Sequence, residues 1–242
     1  FINLSRIQQD DPLAQCVNPC GEATMWDSGA CVLGSIVLPR ISSIERLEEV
    51  VRIATQFLIN GSILGYYPTN RIAEVAQTTR RVGLGFLGLH EFMLRRGNKY
   101  EWFQELEAWL SVWKHASREE ADKYATSLNQ ARPVSCRAVA PTGSISIIAE
   151  SSSGIEPIFC LAYKRRYING DKHLFQYVVD PTAKKLLDEG VKASDIEDAY
   201  ILSNDLRRRL DVQSKVQSYT DQAISNTVNL PTWGTIGNNN IE

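Results

Sequence analysis

The sequence predicts an α/β protein. Three observations carry this: an amphipathic helical stretch opening at Ser43, a long helical stretch from Trp102 to Leu128 with an aromatic stripe, and a short apolar strand, Val134 to Ala140, that stops at a proline. Taken in order, Phe1-Ile2-Asn3-Leu4 reads as buried structure, and Ser43 caps a helix to about Leu58. In that helix Leu47, Val50, Val51, Ala54, Phe57 and Leu58 recur at helical spacing, Glu45, Glu48 and Glu49 lie opposite, and Asn60-Gly61 is a fitting stop. Ile72 to Gly97 reads as a second helical region, interrupted by Gly83, Gly85 and Gly88. Such glycines cost about 1 kcal/mol each in a helix, so they imply close packing or a bend, or a loop between two shorter helices.

Trp102 to Leu128 reads as one helix or a pair, with Trp109, Val112, Trp113 and Ala116 as its apolar stripe. After the Val134–Ala140 strand come a small-residue turn and a second apolar stretch, Ile155 to Tyr163. Asp180 to Glu189, Asp195 to Leu202 and Gln213 to Ala223 complete a helical C-terminal third, with no internal repeat, low-complexity tract or clear linker.

Composition agrees with a soluble globular protein. A chain of 242 residues with 43% hydrophobic content holds one large domain or two small ones. A net charge of −2 offers no electrostatic footprint for nucleic acid or an anionic membrane. No apolar run approaches the roughly 20 residues that span a bilayer, and no charged leader suggests export. Five cysteines, an odd number, read as thiols of a reducing compartment, hence a cytoplasmic location.

The most informative stretch is Asn18-Pro19-Cys20-Gly21-Glu22, followed by Cys31. An amide, a thiol and a carboxylate at i, i+2 and i+4 would point the same way from extended backbone, so one small substrate could touch all three. Pro19 and Gly21 argue for a loop tip instead of a ladder strand, a place where a thiol has reason to be reactive. The competing readings are two small buried hydrophobes or half of a zinc site. Zinc fits poorly, because His90, His115 and His173 are scattered singly and nothing completes four ligands around Cys16 and Cys20. No metal site is expected. Further on, Pro141-Thr142-Gly143-Ser144-Ile145-Ser146 can hold a phosphate on backbone N–H groups and hydroxyls, and equally serves as a plain strand-to-loop connection. The lysine of a Walker loop is missing, which excludes an ATPase of that type. Glu156 reads as an anchor for backbone amides, and the runs Lys164-Arg165-Arg166 and Arg207-Arg208-Arg209 as solvated faces outside the site.

Five ordered motifs carry a family resemblance. Asn18-Pro19-Cys20-Gly21-Glu22 with Cys31-Val32-Leu33-Gly34-Ser35-Ile36 resembles the active-site loop of ribonucleotide reductase large subunits. Arg80-Arg81-Val82-Gly83-Leu84-Gly85-Phe86-Leu87-Gly88-Leu89 resembles the family's Gly-rich helical segment, and Ala140 to Ser146 its phosphate-binding turn. Ser153-Gly154-Ile155-Glu156-Pro157-Ile158-Phe159 and Ser225-Asn226-Thr227-Val228-Asn229-Leu230-Pro231 are similar to two further family motifs.

The resemblance implies a ten-stranded α/β barrel, of which this chain is one domain holding the later part with a finger loop bearing Cys20. The preceding barrel half, the allosteric specificity site, a further redox cysteine and the terminal Cys pair are expected to lie elsewhere. It implies reduction of ribonucleotides to deoxyribonucleotides. As a thiyl radical Cys20 takes the ribose 3′ hydrogen, Glu22 acts as base on the 3′-hydroxyl, Asn18 orients the hydroxyls, Cys31 supplies reducing equivalents, and Pro141 to Ser146 hold the phosphates. The eleven-residue step from Cys20 to Cys31 and the stretch Gly154 to Tyr163 resemble the adenosylcobalamin-dependent class more than the di-iron class. The expected partners are a ribonucleotide, a complementary N-terminal reductase chain or half, and a thioredoxin-like or dithiol reductant, with no nucleic acid and no membrane. Two alternatives remain: a fragment served by a separate di-metal radical subunit, and an inactive remnant.

Overall fold

The computed structural model describes residues 4–229. The first helix, α1 (Leu4–Asp10), leads to a short antiparallel hairpin of β1 (Cys16–Val17) and β2 (Thr24–Met25), and then to β3 (Val32–Val37). After β3 come α2 (Ile44–Leu64), α3 (Asn70–Thr79), β4 (Val82–Leu87), α4 (Leu89–Arg95) and α5 (Gln104–Ser127). The remainder is α6 (Gly143–Ile148), an antiparallel hairpin of β5 (Ala162–Asn169) and β6 (Lys172–Val179), and α7 (Pro181–Asp188), α8 (Ala199–Leu202) and α9 (Leu206–Gln217). The α/β class is as expected. Phe1–Asn3, and Leu230-Pro231 of the last motif, lie outside the described residues.

β3 and β4 pair in parallel from Val32–Val82 to Val37–Leu87, with α2 and α3 forming the crossover that parallel strands require. Two extended segments continue this row. Val82 N donates to Ser135 O (3.2 Å) and Leu84 N to Cys136 O (2.8 Å), so residues 135–139 lie along β4. Val139 forms a parallel bridge with Ile224, with Val139 N donating to Ala223 O (3.2 Å) and Ser225 N to Val139 O (2.9 Å). The expected Val134–Ala140 strand is thus present as extended chain, and the row stays open among the described residues. No helix among these residues is long and apolar enough to cross a membrane.

The helices explain themselves locally. Ser43 caps α2 by accepting from Arg46 N (3.2 Å), as expected. The helix does not stop at Asn60-Gly61, however, but runs on to Leu64. Asn60 is turned to use, donating through Nδ2 to Tyr124 OH (2.9 Å), and a Cβ at Gly61 would already touch Val32 Cγ1 at 3.4 Å. These residues serve packing against α5 and β3. The stretch Trp102–Leu128 holds a single helix, α5, with Trp109, Trp113 and Ala116 buried. Phe86 meets Trp113 edge-on at 5.1 Å and Phe92 meets Trp109 at 4.8 Å, which locks α5 over β4 and α4.

The Gly-rich segment is a correction. It is β4, a strand buried on both faces, not a helix with glycines in it. The glycines admit neighbours: a Cβ at Gly83 would sit 2.5 Å from Leu33 Cδ2 and 2.9 Å from Ala138 Cβ, and one at Gly85 would run into the Ala138 carbonyl. Doubly buried parallel strands show no alternation, which removes the period-2 signal. The last third also differs: Asp195–Leu202 resolves into a single 3-10 turn, Ala193–Asp195, and the short α8, while α9 starts at Leu206 under an Asp205 cap instead of at Gln213.

Two stability effects follow. Gly85→Ala should lower the unfolding free energy by about 2–3 kcal/mol in urea titrations, since the added methyl has only backbone to displace; an unchanged midpoint would overturn the close-approach account. His90 is fully buried on α4, its Nδ1 accepting from Ile158 N (2.9 Å), and burial, with Arg208 nearby, pushes its pKa down to about 3. The unfolded ring takes a proton near 6.5 while the native ring refuses it until about 3. Stability therefore falls as pH drops below 6.5, by up to about 1.4 kcal/mol per pH unit. Urea midpoints at pH 7, 5 and 4 should fall more steeply for the wild type than for His90→Gln; parallel lines would contradict this.

Candidate active site

The finger is the β1–β2 hairpin, and its tip is a tight reversal, not extended chain. Asn18 N donates to Ala23 O (3.0 Å), Gly21 N closes a turn onto Asn18 O (2.9 Å), and Gly21 takes φ +82°, a conformation that suits glycine. Asn18 and Glu22 therefore do not share a strand face. They meet because the chain turns back: Asn18 Nδ2 donates to Glu22 Oε1 at 2.8 Å, while Asn18 Oδ1 accepts from Ala23 N at 3.1 Å. Glu22 is almost wholly buried, and its Oε2 has no hydrogen-bond partner among the described residues. Cys20 lies exposed at the tip between them.

A buried ionic relay fixes the finger to the strand row. Trp26 Nε1 donates to Asp11 Oδ1 (2.6 Å), Asp11 Oδ2 pairs with Arg81 Nη2 (2.5 Å), and Arg81 Nη1 reaches Ser135 Oγ (2.9 Å). Both Asp11 and Arg81 are buried, so each charge depends on the other. Above this anchor, Ala223 N donates to Glu22 O (2.9 Å). Because Ala223 O in turn accepts from Val139 N, the Glu22 backbone stands about two ladder spacings, roughly 10 Å, from Val139. Val139 lies three residues before Thr142.

Cys31 directly precedes β3 and is half-buried. Its Sγ lies 3.9 Å from both Oε1 and Nε2 of Gln222, and burial pushes its thiol up to about 11, partly offset by Gln222 and by the positive charge of Arg81.

The Pro141–Ser146 stretch leads into α6, with Thr142 at its N-cap position. Thr142 sits in the left-handed region at φ +56°, with its Oγ1 accepting from Gly154 N (2.8 Å). Ser146 Oγ bonds Ser153 Oγ (2.8 Å) and the Gly143 carbonyl (3.0 Å), so its hydroxyl faces inward. Gly143, Ser144 and Ile145 are exposed, and their first-turn amides have no acceptor among the described residues. Among the described residues no hydrogen bond joins this turn to the Cys20 tip.

Behind the turn stands a polar layer. Glu156 is an amide anchor as expected, accepting from Thr227 N (2.6 Å). The Arg207–Arg209 run is on a helix, but Arg209 is not a surface residue: it is fully buried, its Nη2 donating to Glu156, Asn226 and the Thr227 carbonyl. Ser151 Oγ donates to Glu91 Oε2 (2.6 Å) and Gly88 N to Ser152 O (2.7 Å), tying the loop to α4. Lys164, Arg165 and Arg166 lie exposed on β5, away from these contacts. Sequence reasoning missed Gln222, the Arg81 relay and Arg209. For Arg209 a signal existed, since Arg209, Val212 and Val216 share one face of α9.

Residues 2–115 and 114–240 match the family described as ribonucleotide reductase, barrel domain. Over 268 positions the chain is 30% identical to a vitamin B12-dependent ribonucleoside-diphosphate reductase of Mycobacterium tuberculosis, covering 92% of this chain and 38% of that protein. A protein of the same description from Thermoplasma acidophilum is 27% identical over 282 positions, covering 95% of this chain and 36% of its own. In fold, 90% of the chain superposes on 35% of a crystal structure of a B12-dependent, class II ribonucleotide reductase, with a TM-score of 0.72 at 17% identity. The chain thus spans little more than a third of the relatives it matches, and the matched residues include finger, strand row and turn. It belongs to the ribonucleotide reductase barrel-domain family.

Proposed function

We propose that this chain carries the radical and phosphate-binding parts of an adenosylcobalamin-dependent reductase that converts ribonucleotides to deoxyribonucleotides, completed by a complementary barrel half. The observation that supports it most is the finger tip: an exposed Cys20 flanked by Asn18 and by a buried carboxylate, Glu22, whose Oε2 lacks a donor among the described residues. A buried acceptor left empty is costly, and a ribose hydroxyl is the group that would fill it. This reading places the chain in the cytoplasm, with nucleotide and reducing thiols at hand.

The vitamin B12 of the relatives fits this tip in one respect that the chain itself can answer. Cys20 is open to a radical arriving from outside, whereas Cys31 is half-buried. Adenosylcobalamin supplies, when bound, a carbon-centred radical by homolysis. Cys20, then a thiyl, takes the 3′ hydrogen of the ribose; Glu22 Oε2 accepts the 3′-hydroxyl proton, and Asn18 keeps the carboxylate aligned. The 2′-hydroxyl leaves as water. Cys31 and a partner thiol supply two electrons and two protons as they become a disulfide, one proton leaving with the water and the other ending with the electrons at C2′; Glu22 returns its proton to O3′, and Cys20 returns its hydrogen to C3′. A dithiol or thioredoxin-like protein then reduces the disulfide. Gly143, Ser144 and Ile145 offer their amides to the phosphates.

The test is deoxynucleotide formation from ribonucleoside di- and triphosphates with adenosylcobalamin and a dithiol, for the chain with a complementary N-terminal half. Product should require cobalamin, vanish in Cys20→Ser, and fall at least about 100-fold in kcat in Glu22→Gln. Ser144→Asp should raise KM about tenfold or more with kcat little changed, because a carboxylate there repels phosphate. Product formed without cobalamin but with a metal-containing radical subunit would favour the di-metal alternative; no product under any combination would favour an inactive remnant.

A further inference from the structure

Gln222 is fully buried, and hydrogen bonds hold its backbone N–H, its carbonyl and its side-chain Nε2. Its N donates to Arg137 O (3.1 Å), its O accepts from Gln217 Nε2 (2.8 Å), and its Nε2 donates to Val82 O (3.0 Å). This last bond fixes which way the amide faces. One amide hydrogen and the Oε1 lone pairs then remain free on the side where Cys31 Sγ lies, 3.9 Å from each. Gly83 lies beside the amide, where a Cβ would stand 3.4 Å from Nε2.

We propose that Gln222 is a positioning residue for Cys31, its amide serving the thiol in both protonation states: Oε1 accepts from S–H, and the second Nε2 hydrogen donates to the thiolate. The inference rests on the reading of Cys31 as the reducing thiol. A cysteine that cycles between thiol, thiolate and disulfide needs a neighbour that is never mismatched, and a carboxamide held by other bonds supplies donor and acceptor without moving. The charged groups that bear on the thiol are Arg81 before β4, already paired with Asp11, and Glu22 on the finger. Neither is bonded to the sulfur. The amide is the neutral group that is.

The test is the rate at which iodoacetamide alkylates Cys31 in the full chain between pH 7 and 9, read by mass spectrometry of its peptide, with buried Cys136 as a reference for opening. The thiolate displaces iodide, so in this range the rate follows the thiolate fraction. Gln222→Met should slow Cys31 about fivefold, and Gln222→Glu more, about thirtyfold, as a charge faces the thiolate, with Cys136 protected in both. A Met variant within twofold of wild type overturns the proposal, as does faster alkylation of Cys31, or loss of Cys136 protection in either variant, which would make Gln222 a strut only. The assay uses neither nucleotide nor cobalamin, so its failure leaves the reductase reading untouched.

Discussion

Everything in this chain hangs on how closely its neighbours approach β4. The strand is buried along its whole length, with β3 on one side and the 135–139 segment on the other, and α2, α4 and α5 closing over it. Side chains at 83 and 85 would hold Leu33 and Ala138 away, and the row could not form at its present spacing. Because the finger is anchored through Arg81, one residue before β4, and α4 and its loop follow Gly88 directly, a shift of β4 would move both ends of the site together.

The polar groups behind the site do different work from the apolar core. Apolar packing gives cohesion without direction, whereas Arg209, Glu156 and Thr227 form directional contacts between α9, the loop before β5 and the chain just after Ile224. Glu91 with Ser151, and His90 with Ile158, repeat the arrangement from α4. The loop carrying Ser153 and Gly154 is thereby held from two sides, and these two residues in turn hold Ser146 and Thr142. A six-residue turn whose one large apolar side chain, Ile145, is exposed has little packing of its own. Its shape is borrowed from this layer.

Much of the site could be read from residues alone, and the reasons for the misses are physical. Asn18, Cys20 and Glu22 announce themselves because Pro19 and Gly21 punctuate them, yet the same punctuation makes a reversal, so the side chains converge across a turn. Ser43 was legible because capping is local. The identity of β4 was not, since a doubly buried strand and a buried helix have the same apolar composition, and only Leu33 and Ala138, distant in sequence, explain the glycines. Asn60-Gly61 looked like an ending because its long-range partners, Tyr124 and Val32, were invisible. The β5–β6 hairpin was missed although Asn169-Gly170, with Gly170 at φ +59°, is a hairpin signal. Gln222 left no trace, because nothing in a polar stretch marks one amide as buried.

The enclosed Oε2 of Glu22 bears on how firmly the finger's own turn is held. Among the described residues Glu22 Oε2 is an enclosed acceptor without a donor, and it sits in the six residues that join two short strands. Occupancy and local order are then linked: a hydroxyl that reaches Oε2 completes the turn as a cap completes a helix.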